Sequence, residues 1–187
     1  EDGLELFGKD APQIGPNDMK IISEPLDFCG LNIYFGDKIR AGQNGEPETV
    51  QFNPNHAHTA FNWFITPENL YWGPKYFYER YNLPIYITEN GMSLTDWVSM
   101  DGKVHDPQRI DFIRRHLIEL EKAIDNGIDI RGYFHWSILD NFEWASGYNE
   151  RFGLTYVNYE TQERTLKDSA FFYSDIIKTN GQSLKKY

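Results

Sequence analysis

Three apolar runs alternate with three helical patterns in this chain, and that order leaves few folds open. The runs are LDFCGLNIYFG from Leu26, PIYITENG from Pro84 and IRGYFHWS from Ile130. Strand, helix, strand, helix, strand, helix implies an α/β chain with a parallel sheet and crossover helices. Three strands make a poor independent sheet of that type, because both faces need covering. The length prior is one domain, and 1–187 reads as one segment of a single domain. The strand-end loops, 35–60, 89–106 and 137–152, then lie on one side of the sheet. That convergence brings Glu89, Asp140 and Glu143 near each other, with Tyr34, Trp136 and Trp144 at the same mouth.

Residues 1–25 are polar and broken by Gly and Pro. A short helix fits 16–24, with Asn17 capping and Ile21 and Ile22 packed inward. Residues 37–60 read as a long loop, and loops of that length in compact domains are usually functional. Thr66-Pro67-Glu68 is a helix start, and Pro74 divides 67–81 into two pieces. From Gln108, the residues Ile110, Ile113, Leu117, Leu120 and Ile124 share one helical face, closed by Asn126-Gly127. Residues 153–165 suggest a hairpin turning near Glu160-Thr161. A last helix over 168–178 carries Phe171, Phe172, Ile176 and Ile177.

Glu89 is the residue that points to chemistry. An unpaired carboxylate in an apolar setting is costly, and parallel α/β folds place reactive groups at the C-terminal ends of strands. A solvated strand-end Glu is the alternative. The net charge of −10 would repel a phosphate backbone, so nucleic acid is not an expected partner. The lone Cys29 excludes an intramolecular disulfide, fits a reducing compartment and reads as a small buried hydrophobe. No run of 18 apolar residues is present, so no membrane span is expected and a cytoplasmic protein is the default. The five His residues suggest no metal set; His135 reads as a packed strand residue. The aromatic content of 16% suits stacking on a sugar as well as an ordinary core.

Taken together, these segments resemble the C-terminal part of glycoside hydrolase family 1, the β-glucosidase family. DFCGLNIY is similar to the family's sixth-strand motif and PIYITENG to its nucleophile strand. GYFHWSILDNFEWASGYNERFGLTYVNYETQERTLKDSA is similar to its eighth strand with the following loop and hairpin. The likeness runs from about Asp18 to Asn180. It implies about strands six to eight of a TIM (β/α)8 barrel, with the site at the C-terminal face.

The resemblance implies a retaining β-glycosidase acting on terminal β-D-glycosyl residues, with no cofactor. Glu89 would be the nucleophile, ionised at working pH, and Tyr34 its hydrogen-bonding partner. Glu143 would accept sugar hydroxyls, with Trp144 beside it and Trp136 as the floor. Trp63 would stand near the leaving group. Asn32 and Phe152 match site positions with less defined roles. Core packing is the alternative for Trp136 and Trp144, and a solvated loop acid for Glu143. Asp140 suits a bracing role; Arg164 and Lys167 suit surface or loop-pinning charges. Ile33 replaces a family tyrosine and should face away from Tyr34.

The family's second carboxylate, the acid/base in a Thr-Phe/Leu-Asn-Glu-Pro motif, has no counterpart here. Glu24-Pro25 and Glu46-Pro47 do not follow Asn on an apolar strand. The expected partners are therefore a β-glucoside or related oligosaccharide and a complementary N-terminal portion on a separate chain. The alternatives are a non-catalytic sugar-binding fragment and a self-associating scaffold. A loop carrying Glu143-Trp144 and Asn149-Glu150-Arg151 would repel a 6-phosphate, which favours unphosphorylated glycosides.

Overall fold

The computed structural model describes residues 2–186; Glu1 and Tyr187, the ends of the 1–187 segment, lie outside the described residues. Two short helices, α1 (Asp2–Phe7) and α2 (Asp18–Ile22), precede strand β1 (Cys29–Asn32). An antiparallel hairpin follows, β2 (Ile39–Ala41) against β3 (Pro47–Thr49). Then come α3 (Asn69–Tyr81), β4 (Ile85–Asn90), α4 (Pro107–Asp125) and β5 (Ile130–His135). A second hairpin, β6 (Thr155–Val157) with β7 (Arg164–Leu166), leads into α5 (Asp168–Lys178).

The expected parallel sheet forms, in the order β1-β4-β5. β4 is central, pairing Leu31 with Ile87 on one side and Ile87 with Tyr133 on the other. Its alternating side chains divide the sheet into two unlike faces. Ile85 and Ile87 are fully buried and join Leu31, Leu70, Phe112, Ile113, Leu117 and Ile176 in one core beneath α3, α4 and α5. The opposite face carries Phe28 and Phe134, at least half accessible at 50% and 58%. That face has no helical cover among the described residues.

Several local expectations change. Residues 37–60 contain the β2–β3 hairpin, held by the Arg40–Glu48 pair at 2.8 Å. Ile21 and Ile22 are exposed, and the Asn17 side chain makes no capping bond, because a five-residue helix with no partner element buries nothing. Pro74 does not divide the helix: α3 runs unbroken through it, with Pro74 buried. The Thr66 hydroxyl leaves the helix end and accepts from the Gly36 amide at 2.9 Å, tying α3 to the end of β1.

Within α4 the buried face is Arg109, Phe112, Ile113, His116, Leu117, Leu120 and Ala123, and Ile124 is exposed. In α5, Ile176 is buried whereas Phe171 and Ile177 are exposed. Cys29 opens β1 and is half-buried against the core. The second hairpin turns where expected, with Asn158 Oδ1 accepting from the Glu160 and Thr161 amides.

Lys167 is a buried, loop-pinning charge and not a surface one, and Asp140 takes the bracing role. Lys167 is fully buried, with Nζ 2.6 Å from Asp96 and 2.8 Å from Asp140. Arg151 adds a contact to Asp140 at 2.6 Å. Arg109 bonds Asp96 at 2.8 Å, Asp106 and the Arg151 carbonyl. Ser169 donates its amide and hydroxyl to Asp106. Three carboxylates and three cations thus neutralise one another out of water, which is the condition for burying charge. Burial and then the Arg109 charge push the Lys167 ammonium's pKa down, against the pull of the two carboxylates. This network clamps the loops after β4 and β5 to α4 and α5.

Candidate active site

The end of β4 builds the site. β1 pairs Asn32 with Glu89 after a register irregularity, and the Ile33 amide donates to the Glu89 carbonyl at 2.9 Å. Ile33 then packs back against α3, close to Gly73, as strand alternation requires. Tyr34 turns the other way, and its hydroxyl donates to Glu89 Oε2 at 2.6 Å. Burial first, then the hydrogen bond and charge of Glu89, push the Tyr34 phenol far above its ordinary range. The phenol therefore stays protonated and acts as the donor to the Glu89 carboxyl group.

On the other side, the Trp136 amide donates to the Asn90 carbonyl at 2.9 Å. The Trp136–Ser137 peptide is cis. Glu143 faces Glu89 across the mouth. Burial raises its pKa, the Trp136 indole hydrogen bond opposes that, and the Glu89 and Glu150 charges add to the rise. Glu89, Tyr34, Trp136 and Glu143 thus converge as expected. Asp140 does not join them; it sits in the buried ion network.

Trp63 and Phe152 flank Tyr34, with ring centroids 5.1 and 6.2 Å away. Phe152 is 2% exposed; its carbonyl accepts from the Ser137 amide at 3.1 Å, and the Ser137 carbonyl accepts from the Leu154 amide at 2.8 Å. Asn32 lies beside Glu89 in register, but its amide oxygen accepts from the Thr88 hydroxyl at 2.6 Å. Trp144 is 82% exposed on a short 3-10 turn. It stands out in solvent and is not part of a core.

Four contributors escape sequence reasoning. Phe61 and Phe35 pack on Trp63 at 4.6 and 5.4 Å. Phe61 stands two residues before Trp63, a spacing that could have signalled a shared face. Ser93 holds the Trp63 loop by accepting from the Ala60 amide at 3.1 Å, and its hydroxyl donates to Glu150. Asn90 is fully buried between β1 and β5. Among the described residues, no group of three or more His, Cys, Asp or Glu is arranged to hold a metal. His135 packs against Tyr173, and burial takes its pKa down to about 3. No helix among the described residues is long and apolar enough to cross a membrane.

The sequence profile described as glycosyl hydrolase family 1 matches residues 4–182. The chain belongs to glycosyl hydrolase family 1. Its relatives in the family include β-glucosidase A of Thermotoga maritima, 45% identical over 95% of this chain and 40% of its own length. A 6-phospho-β-galactosidase of Staphylococcus aureus is 37% identical over 82% of this chain and 37% of its own. The solved β-glucosidase of Thermotoga maritima in complex with glucoimidazole superposes with a TM-score of 0.86 at 45% identity. That match covers 97% of this chain and 41% of the solved one. This family 1 chain therefore spans about two fifths of the length of the relatives it matches.

Proposed function

We propose that this chain carries the nucleophile of a retaining β-glycosidase and is about strands six to eight of a (β/α)8 barrel. The Tyr34–Glu89 hydrogen bond of 2.6 Å, at the C-terminal end of the central parallel strand, carries the reading. Kinship to proteins named as β-glucosidases, one solved with glucoimidazole bound, supports the sugar class.

In this reading Glu89 attacks the anomeric carbon, and the bond from that carbon to the aglycone oxygen breaks. The leaving oxygen takes its proton from an acid supplied by the N-terminal portion. The same group then removes a proton from water, which attacks the anomeric carbon and releases Glu89 with net retention. Tyr34 donates to Glu89 and aims it. Trp136 forms the floor for the sugar, Glu143 accepts its hydroxyls, and Trp144 closes the rim. Trp63, backed by Phe61 and Phe35, faces the leaving group; Asn32 and Phe152 line the same end. Glu143 and Glu150 make the mouth anionic, which disfavours a 6-phosphorylated sugar.

The test is intact mass and peptide mapping after incubation with a 2-deoxy-2-fluoro aryl β-glucoside. The sample is this chain assembled with its N-terminal portion. A fluoroglycosyl adduct on Glu89 is expected. An assembled sample that takes no adduct there overturns the reading.

A further inference from the structure

Asn90 follows Glu89 directly, and its side chain points into the protein instead of the mouth. It is fully buried, and both ends of its amide are used. Nδ2 donates to the Ile33 carbonyl at 2.8 Å, and Oδ1 accepts from the Tyr133 hydroxyl at 2.8 Å. Tyr133 is braced in turn, since its carbonyl accepts from the Tyr173 hydroxyl of α5 at 3.2 Å. One amide thus ties the end of β1 to β5 across the strand that carries Glu89. Ile33 is the residue before Tyr34, so this bond fixes the backbone from which the Tyr34 phenol reaches Glu89. The backbone carbonyl of Asn90 separately holds the Trp136 amide, and a side-chain change leaves that contact in place.

We propose that Asn90 is a positioning residue that sets the Tyr34–Glu89 hydrogen bond, acting through the Ile33 carbonyl and braced by Tyr133. The inference rests on the reading of Glu89 as nucleophile. A carboxamide is the side chain this site needs. Leucine would leave the Ile33 carbonyl and the Tyr133 hydroxyl buried without partners, and aspartate would set an oxygen against the carbonyl. The titratable groups facing Glu89 are Tyr34 from the end of β1 and Glu143 from the loop after β5; Tyr133 on β5 acts on Tyr34, Glu150 acts on Glu143, and His135 stands opposite Asn90 in register.

The measurement is kcat/KM against pH for an aryl β-glucoside, in the assembled enzyme. The variants are Asn90→Leu, Tyr133→Phe, Tyr34→Phe and the Asn90→Leu/Tyr34→Phe pair. The acid limb of that profile reports the essential ionised group of the free enzyme. Losing a hydrogen bond to the charged form moves such a limb to higher pH. Asn90→Leu should move it in the same direction as Tyr34→Phe, with about a tenfold loss of kcat/KM on the limb. Tyr133→Phe keeps its ring and should give a smaller shift of the same sign, so the inference stays testable if Asn90→Leu folds poorly. In the Tyr34→Phe background, Asn90→Leu should change the limb by less than about twofold, because interacting residues are not additive.

Variants that lower the melting temperature while leaving the limb at its wild-type place overturn the inference. So does a full additive shift in the Tyr34→Phe background. A wild-type assembly that takes no fluoroglycosyl adduct at Glu89 fails the functional reading and this inference together. An adduct on Glu89 with an unmoved limb fails this inference alone.

Discussion

Gly91 closes the Glu89-Asn90-Gly91 run because a side chain has no room there. A β-carbon would lie 1.8 Å from the Trp136 carbonyl oxygen, a backbone atom that cannot swing aside. The glycine lets the ends of β4 and β5 approach, and that approach sets Trp136 beside Glu89. Gly91→Ala should therefore displace Trp136, the proposed floor of the site. We expect kcat/KM on an aryl β-glucoside to fall by about 100-fold or more, since small misplacements of that kind have such effects. Steady-state kinetics of the assembled enzyme check this, and near-wild-type activity would remove Gly91 from the argument. At the same scale the motif around Glu89 was open to reading from the chain. The partner of Asn90 was not, because Tyr133 and Ile33 lie 43 and 57 residues away.

The helices α4 and α5 do more than cover the sheet, because they anchor the buried ion network. Lys167, the residue before α5, neutralises Asp96 and Asp140 from the two strand-end loops. Lys167→Met leaves three buried carboxylates with two cations, Arg109 and Arg151, and should cost about 3–5 kcal/mol of stability, read from denaturant unfolding. The exposed Arg164→Ala should stay within about 0.5 kcal/mol of wild type.

His116, on the buried face of α4, supplies a pH dependence. Its Nδ1 donates to the Phe112 carbonyl at 2.8 Å, and burial lowers its pKa to about 4. The folded state refuses the proton that the unfolded chain accepts below its ordinary value of 6.5. Stability from this residue is therefore complete above that value and is lost as pH falls toward 4. Melting temperature should drop between pH 7.5 and 4.5, and His116→Leu should flatten part of that slope. An unchanged slope in the variant would show that other groups control acid sensitivity. The period of α4 was legible, and Ile113, Leu117 and Leu120 are buried as read, whereas Ile124 is exposed and two polar members of the buried face were not foreseen. Arg109 and His116 are polar in sequence and become core only because Asp96, Asp106 and the Phe112 carbonyl meet them there.

At the scale of the whole molecule, β1 and β5 each pair with β4 alone within their sheet, so two strand edges stay open. Among the described residues the face bearing Phe28 and Phe134 is uncovered, and Ile138, Leu166, Phe171 and Ile177 are exposed around α5 and the second hairpin. Open edges and apolar faces of this kind favour association. The isolated chain should self-associate and bind a hydrophobic dye, as read by light scattering and fluorescence. Mixing with the N-terminal portion should reverse both and bring aryl β-glucoside hydrolysis. A monodisperse, dye-free chain would contradict the barrel reading.

The sequence by itself determined the alternating elements, the parallel sheet and the group at the end of β4. Those signals are local: apolar period, turn residues, and a long ordered motif around Glu89. Tertiary structure alone decided which charges are buried. Asp140 and Lys167 look like loop residues in the chain and become a neutralised core pair, because Lys167 meets partners 27 and 71 residues away. It also decided that α3 passes through Pro74, since packing against β1 and α4 outweighs one lost backbone bond. Periodicity records what a residue does to its near neighbours. Burial of charge depends on who arrives from a distance, and that is settled only when the loops close.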